Sequence, residues 1–364
     1  MQKFGSDITS INQFFSQIEC DFHCYNLARL IQIVDNQTFI DFENNNIPWH
    51  APFLQCAWIA LVFWETSKKQ STSNNQHVWF LKLPLDEQAK LNLAARDDFL
   101  HRLIGVLANR NSTVDTPSAL ENALKDNPYG FQPKEEQMAN FHAIVQQQFK
   151  LPASHYYPAV VAYFSNEALS SNENFEQWTQ LGLQGVADFV ARLDHNHQHQ
   201  SNEQRLIKHI SQLPSQLFKI LATCLENHRL SKALSQAIYQ RLKKNLHDEN
   251  ECVAAIRATA QTKDKPLQKQ MLDNILTSSI GSNIEVLAAI SSRCWEVVIQ
   301  AELLAHFLEA LANAQAKHPN AFNSILSDLM FIPNIRQSIL ISFRSPERST
   351  QLSQAIGSFF NQKF

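Results

Sequence analysis

The sequence predicts an α+β protein: a small N-terminal α/β region with a β-hairpin, followed by an all-α region. Two segments rich in aromatic and β-branched residues, Leu54–Trp64 and His77–Leu83, predict the hairpin. Beyond residue 152 every segment has the apolar periodicity of a helix. Glycine occurs only 7 times in 364 residues, whereas large β-rich and nucleotide-binding folds use many glycines in tight turns.

Composition narrows the class of protein. Hydrophobic residues make up 44% of the chain, as in ordinary globular proteins, and the formal net charge of −3 predicts no binding to nucleic acid. The most apolar stretch, Pro52–Trp64, is shorter than the roughly 20 residues of a membrane span. Met1–Ser10 lacks the pattern of a signal peptide, and 6 cysteines are too few for a disulfide scaffold. We therefore expect a cytoplasmic protein with no membrane association.

The N-terminal region begins with a predicted amphipathic helix. Its apolar positions follow the spacing i, i+3, i+4 and i+7, at Ile11, Phe14, Phe15 and Ile18. Asp7 or Ser10 is the expected N-cap. Phe22–Val34 then predicts one short strand, and Asn36–Phe42 a second short helix.

The hairpin follows. Leu54–Trp64 is apolar on both faces, so periodicity alone allows a buried strand or a buried helix, and its Trp, Ile, Val and Phe content favours the strand. Thr66–Gln76 is a polar loop, and His77–Leu83 is the second strand, ended by Pro84.

Three helices are predicted between the hairpin and residue 152. Asp97–Asn109 has one apolar face, and Thr116-Pro117 is a capping hydroxyl followed by proline at the first helical position. Pro133 opens a third helix in the same way. The apolar stripe of that helix consists of Met138, Phe141, Val145 and Phe149.

Stretches of small and apolar residues recur in the C-terminal region. They begin at Gly185, Leu221, Val253, Val286 and Ser324, which are 36, 32, 33 and 38 residues apart. Such periods are typical of solenoids built from helix pairs, so we favour a HEAT-like solenoid over an irregular helical bundle. The predicted domains are an N-terminal α/β domain at 1–112, a helical linker region at 113–165 and an all-α helical-repeat domain at 166–364.

No catalytic, cofactor-binding or metal-binding residue is assigned, because the sequence lacks Walker A, dinucleotide-binding, G-x-S-x-G, H-E-x-x-H, C-x-x-C and EF-hand motifs. The most metal-like string is Asp194–His199, in which three imidazoles, His195, His197 and His199, could bind Zn²⁺ or Ni²⁺. Because the string falls between two predicted helices, we favour a solvated linker.

Three pairs have both a chemical and a structural interpretation. Cys20 and Cys24, placed at the end of the first helix, are a redox pair, half a metal site or two core thiols. Asp97 and His101 have the i, i+4 spacing of an acid–base dyad or of surface electrostatics. Asp86-Glu87 is a carboxylate pair or a polar turn. We favour the structural interpretation for each pair.

Two further clusters could contact other molecules. Four of the six tryptophans fall within 31 residues and line a pocket or, as we favour, fill the core of a small domain; they are Trp49, Trp58, Trp64 and Trp79. The segment near the C-terminus has one acidic residue, Glu347, and a cluster of four basic residues, Arg336, Arg344, Arg348 and Lys363. This cluster is a solvated helix face or a contact for an acidic protein.

Four strings resemble an uncharacterised bacterial family, chiefly from marine gamma-proteobacteria, that is known only as a domain of unknown function. They are VWFLKLPLDE (Val78–Glu87), NPYGFQPKEEQMANFHA (Asn127–Ala143), LPASHYY (Leu151–Tyr157) and WTQLGLQGVADFVARL (Trp178–Leu193). The resemblance covers most of the chain, weakens past about residue 200 and implies a cytoplasmic bacterial protein without an inherited activity. Residues 66–77 and the histidine string look like insertions relative to the family pattern.

Two functions are compatible with these features. The first is a non-enzymatic interaction or scaffold protein that binds a protein partner on a helical-repeat surface. The second is an enzyme or small-ligand-binding protein with a site at the junction of the N-terminal and helical regions. The residues to inspect there are the polar and aromatic groups of the recognisable strings, Tyr156, Trp178, Gln184, Asp188 and Arg192.

Overall fold

The computed structural model describes residues 8–67, 76–108, 124, 127–166 and 176–363. The chain divides into two compact units. The sheet unit comprises Met1–Lys134, Phe149–Leu151 and Phe331–Pro333, and the helical unit comprises Glu135–Gln148, Pro152–Met330 and Asn334–Phe364. The three-domain division stays a prediction, and the Asp7 cap and the Thr116-Pro117 helix start lie outside the described residues.

The sheet unit contains a four-stranded antiparallel sheet in the order β2-β1-β3-β4. Its strands are β1 (Cys20–Asn26), β2 (Gln32–Val34), β3 (Cys56–Glu65) and β4 (His77–Pro84). The central strand β3 is the segment that is apolar on both faces, and its Leu61 pairs with Cys24 of β1 and Trp79 of β4. The predicted hairpin of β3 and β4 is therefore confirmed.

The single strand predicted at Phe22–Val34 is wrong, because two strands occupy this region. Residues between β1 and β2 form a turn in which the Asn26 side chain donates to the Leu30 carbonyl at 2.9 Å. Buried Arg29 donates to the Pro52 carbonyl at 3.0 Å and fixes the turn.

Three helices pack with the sheet around one apolar core: α1 (Ile11–Gln17), α2 (Asn36–Glu43) and α3 (Leu93–Ala108). Ser10 caps α1 by accepting from the Gln13 amide, and Asp35 caps α2. Trp49, Trp64 and Trp79 are buried in this unit, whereas Trp58 is half-buried beneath the Lys82 ammonium. The tryptophans therefore fill a core, as the sequence analysis favours.

The described part of the helical unit consists of α-helices, one short 3-10 helix and one two-stranded hairpin. In chain order its helices are α4 (Glu135–Gln148), α5 (Tyr157–Ser165), α6 (Leu183–Ala191), α7 (Asn202–His209), α8 (Ser215–Leu225), α9 (Lys232–Lys244), α10 (Glu249–Ala258), α11 (Lys265–Leu276), α12 (Ile284–Arg293), α13 (Trp295–Val298), α14 (Ala301–Ala314), α15 (Ala321–Met330), α16 (Ile335–Ser342) and α17 (Thr350–Lys363). The hairpin between α6 and α7 pairs β5 (Asn196–His197) with β6 (Gln200–Ser201).

The helices from α4 to α14 alternate between two rows. The first row is α4, α6, α8, α10 and α12, the second is α5, α7, α9, α11 and α14, and each helix contacts the next in its row. Contacts of α5 with α6, α9 with α10 and α12 with α14 join the rows. This is the two-layered stack of helix pairs that a solenoid uses.

Side-chain bonds between successive repeats have nearly the period that the sequence shows. Hydrogen-bonded residues lie 33 to 36 positions apart in four pairs, which are Ser215–Glu251, Asn283–Glu249, Asn274–Tyr239 and His306–Asp273. A further link brings Arg257 of α10 and Arg293 of α12 onto the buried carboxylate of Glu226, at 2.6 and 2.8 Å. Equivalent positions of neighbouring repeats thus contact one another.

Candidate functional site

An open pocket of about 730 Å³ lies within the helical unit, between α5, the β5–β6 hairpin and α7. Pro158, Val161 and Ala162 of α5 form its apolar wall. Its polar wall includes Tyr157, His197 and Arg205, which the following paragraphs describe.

The hairpin places His197 at the pocket. Gln198 and His199 adopt positive φ angles of 50° and 66°, so the chain reverses in two residues and His197 pairs with Gln200. Ser201 then caps α7 in a capping box, because its side chain accepts from the Gln204 amide and the Gln204 side chain accepts from the Ser201 amide. The histidine string is therefore an ordered connection between α6 and α7, and all of its residues except His197 are exposed, as expected of a solvated linker.

A hydrogen-bonded chain runs from Asn202 through Tyr157 to His197. The Asn202 Nδ2 donates to the Tyr157 hydroxyl at 3.0 Å and to the Arg192 carbonyl at 2.9 Å. The Tyr157 oxygen lies 2.8 Å from His197 Nε2. The Tyr157 hydroxyl and His197 Nε2 share this hydrogen bond, and the tautomer of His197 sets which of the two atoms donates. Tyrosine and histidine are thus held in one orientation.

Arg205 is the buried cation of the pocket, with 3% of its surface exposed. Its Nη1 donates to the Gln200 carbonyl at 2.7 Å, and its Nη2 donates to the His197 carbonyl, so the guanidinium supports the hairpin. Its buried Nε has no hydrogen-bond partner, and no carboxylate of the described residues forms an ion pair with it. A buried charge without a counter-ion is costly, which makes this wall receptive to an anion.

Two of the residues selected from the sequence come together near the pocket. Arg192 Nη1 donates to Asp188 Oδ1 at 2.8 Å, and both side chains are buried. The Ser154 amide donates to the other Asp188 oxygen at 2.9 Å, so the pair is satisfied without a ligand. The Arg192 guanidinium lies 5.9 Å from the centre of the Tyr157 ring and supports it from the protein interior.

The other three selected residues do not line the pocket. Gln184 donates to the Ala139 carbonyl, and Trp178 lies in a short 3-10 turn, Glu176–Gln180. Tyr156 packs on α6, where a side chain at Gly185 would come within 2.7 Å of the Tyr156 carbonyl. Gln184 therefore joins α6 to α4, and Tyr156 packs at the start of α5 against α6.

A second feature of the helical unit is the lysine face of its second row. We define it by the lysines of α7, α9 and α11: Lys208, Lys232, Lys243, Lys244, Lys265 and Lys269. The same helices carry two acidic residues, Glu203, which accepts from the Ser231 amide, and Asp273, which bonds His306. Lys269 is paired with Glu302 of α14 at 3.0 Å. The face still has an excess of positive charge on a chain whose formal net charge is −3.

The remaining candidates occupy structural positions. Cys20 and Cys24 lie on β1, not at the end of the first helix as predicted, and both are buried free thiols. Asp97 bonds Arg96 at 2.8 Å and forms no dyad with His101. Asp86 accepts from the amides of residues 88 and 90, as a polar turn does.

Two features concern metals and membranes. Among the residues that the structure describes, no group of three or more histidine, cysteine or acidic side chains is arranged to hold a metal, so His195, His197 and His199 do not converge. No helix in those ranges is long and apolar enough to cross a membrane.

The chain belongs to the family described as "Protein of unknown function (DUF3549)", which matches residues 6–360. The predicted membership of an uncharacterised family of similar length is confirmed. No curated protein and no solved structure matches the chain.

Proposed function

We propose that this member of the family is a non-enzymatic scaffold that binds an acidic segment of a protein partner on the lysine face of its helical unit. The observation that carries the proposal is the excess of lysine over acidic residues on α7, α9 and α11. A cytoplasmic bacterial setting, which the family resemblance implies, belongs to the same proposal.

The repeat architecture supports a binding role. In a stack of helix pairs each repeat contacts its neighbours, so one row presents an extended surface to a partner. Glu226, Arg241 and Glu251, which form ion pairs within the stack, are buried, whereas Lys232, Lys243 and Lys244 of α9 are exposed. Buried Arg241 of the same helix is instead paired with Glu251, so it contributes to packing.

The extent of the face indicates the size of the segment. Packed helices lie roughly 8–10 Å apart, so three of them span about 20 Å, the length of about six residues of extended chain. In α14, the next helix of the row, Glu302 and Glu309 reverse the sign of the charge. This short basic surface suits an acidic peptide better than a long nucleic acid, which gains its affinity from many phosphate contacts.

The test is the binding of a fluorescent peptide of about eight residues, rich in Asp and Glu, measured by fluorescence anisotropy. We expect saturable binding that weakens as salt is added. Replacing Lys232, Lys243 and Lys244 by Glu should weaken binding at least about tenfold, because each exposed ion pair contributes up to about 1 kcal/mol.

A matched control makes the same change of net charge elsewhere. The variant Lys134→Glu/Lys219→Glu/Lys317→Glu reverses three exposed charges outside the face and should bind the peptide like the unchanged protein. An equal loss of peptide affinity in both triple variants would show that net charge alone causes the effect, and it would refute the proposal. Tighter binding of a single-stranded oligonucleotide of equal length would contradict the choice of a protein partner.

The second candidate function is small-ligand binding. The pocket at Tyr157, His197 and Arg205 favours it, because polar groups held in fixed orientations face an apolar wall. This pocket lies within the helical unit, whereas the sequence analysis expects a site at the junction of the two regions.

A further inference from the structure

We infer that the pocket between α5, the β5–β6 hairpin and α7 binds a small organic carboxylate, which interacts with Arg205 while its apolar part packs on α5. The inference goes beyond the scaffold proposal and uses none of the residues of the lysine face. Three observations carry it: a buried cation without an ion-pair partner, an apolar wall, and described lining residues that include no carboxylate.

The charge of the pocket selects an anion. Arg205 is almost fully buried, and one N–H of each terminal nitrogen donates to a carbonyl, that of Gln200 or that of His197. Its Nε has no hydrogen-bond partner, and none of the described residues that line the pocket is Asp or Glu. Because charge-assisted hydrogen bonds are stronger than neutral ones, a carboxylate placed against the guanidinium would compensate the cation.

The amount of positive charge distinguishes a carboxylate from a phosphate. Phosphate binding sites supply several N–H groups or cations to a group that carries nearly two negative charges. Here one guanidinium, already bound to two carbonyls, supplies a single positive charge. The structure therefore fits a monoanion better than a phosphate.

The opposite wall requires an apolar part of the ligand. Pro158, Val161 and Ala162 contribute carbon surface on one side of α5 and offer no side-chain hydrogen bond. A volume of about 730 Å³ is within the range of small-molecule pockets. A carboxylate with a short aliphatic or aromatic body would satisfy both walls, whereas acetate would use only the polar one.

The experiment titrates the full chain with benzoate, butyrate, acetate, phosphate and benzamide, and follows binding by ligand-observed NMR. For benzoate we expect saturable binding with a dissociation constant of about 1 mM, since ligands of this size bind weakly. Benzamide has the same shape without the charge and should bind at least about tenfold more weakly.

The main variant is Ala162→Trp, which fills the pocket from an exposed helix position without altering the bonds of Arg205. It should abolish benzoate binding. The matched control Ala305→Trp, at an exposed position of α14 outside the pocket, should leave binding unchanged. Arg205→Lys, which keeps the charge but loses the Nε donor, should weaken binding several-fold.

Three results would overturn the inference. The first is no saturable binding of any carboxylate up to about 50 mM, far above the expected constant. The second is equal binding of benzoate and benzamide, which would show that the charge of the ligand does not matter. The third is unchanged benzoate binding by Ala162→Trp, which would show that the ligand binds outside this pocket. Saturable binding of phosphate alone would contradict the choice of a carboxylate.

Discussion

Glu43 is the residue whose surroundings have the clearest energetic consequence. Its side chain is fully buried in the sheet unit, where one oxygen accepts from the Ile11 amide at 2.7 Å and the other from the Asn12 amide at 3.1 Å. The carboxylate thus caps α1 from a distant part of the chain. Burial raises its pKa to about 7, although the two amides and nearby Arg96 oppose the shift.

The elevated pKa predicts how the stability of the sheet unit depends on pH. Below about pH 4.5 Glu43 is protonated in both the folded and the unfolded state. Between about 4.5 and 7 the unfolded state loses this proton while the folded state keeps it, so the contribution to the free energy of unfolding falls as pH rises. The loss is complete above about pH 7 and amounts to at most about 3 kcal/mol.

Glu43→Gln should remove this component, because an amide does not titrate. We expect urea unfolding, followed by the fluorescence of buried Trp49 and Trp79, to give a flatter pH profile for the variant than for the unchanged protein. Glu87→Gln, at an exposed position of the same unit, is the control and should leave the profile unchanged. Profiles of equal slope for all three proteins would show that Glu43 does not titrate in this window.

At the scale of single elements, the β5–β6 hairpin shows what sequence patterns leave undetermined. Its two-residue turn uses Gln198 and His199 at positive φ, although Asn and Gly are the residues that mark such turns in a sequence. The residue types therefore do not predict this turn, and the sequence analysis interprets the string only as a linker. The Ser201-x-x-Gln204 capping box was the available signal, since it fixes where α7 begins.

The turn geometry predicts a stabilising substitution. His199 has a φ of 66°, a conformation that costs a non-glycine residue roughly 1 kcal/mol, so His199→Gly should stabilise the hairpin by about 0.5–1 kcal/mol. Hydrogen exchange of the hairpin amides should slow accordingly. Gln240→Gly, at an exposed position within α9, should instead destabilise its helix by about 1 kcal/mol. Faster exchange in the His199→Gly hairpin would contradict the described turn.

Elements with a strong periodic signal could be predicted, and side-chain sites could not. The strand β3 and helices α1 and α3 follow from runs of apolar residues, because burial determines both the pattern and the element. Arg205 gives no such signal, since no acidic residue stands three or four positions away on α7 and its partners are carbonyls of the hairpin. Its burial is a consequence of tertiary packing, which a local pattern does not contain.

At the scale of the whole molecule, the recurring sequence spacing corresponds to contacts between repeats. Stretches 32 to 38 residues apart in sequence lie in helices whose side chains bond across 33 to 36 positions. The buried Glu226 carboxylate between Arg257 and Arg293 shows how charged groups join three repeats. Burial alone would raise the pKa of Glu226, but the two guanidiniums outweigh it and hold that pKa below its ordinary range.

The different locations of arginine and lysine in the helical unit follow from the same architecture. Arginines of the stack that are buried or partly buried are bound to carboxylates or carbonyls, whereas three of the six exposed positions of α9 hold lysine. Lysine keeps a strongly hydrated charge on a flexible stem, which suits a surface that meets an acidic partner. The helical unit thus separates the groups that stabilise it from the groups we propose for binding.

The most direct test of the scaffold claim is zero-length carbodiimide cross-linking of the full chain in its native cells, followed by mass spectrometry of the linked peptides. This chemistry joins a lysine amine to a carboxylate in direct contact with it. The account predicts links from Lys232, Lys243 and Lys244 to Asp or Glu side chains of one partner, and loss of that partner in the triple Glu variant. Links confined to lysines outside α7, α9 and α11, with the partner retained by the variant, would contradict it.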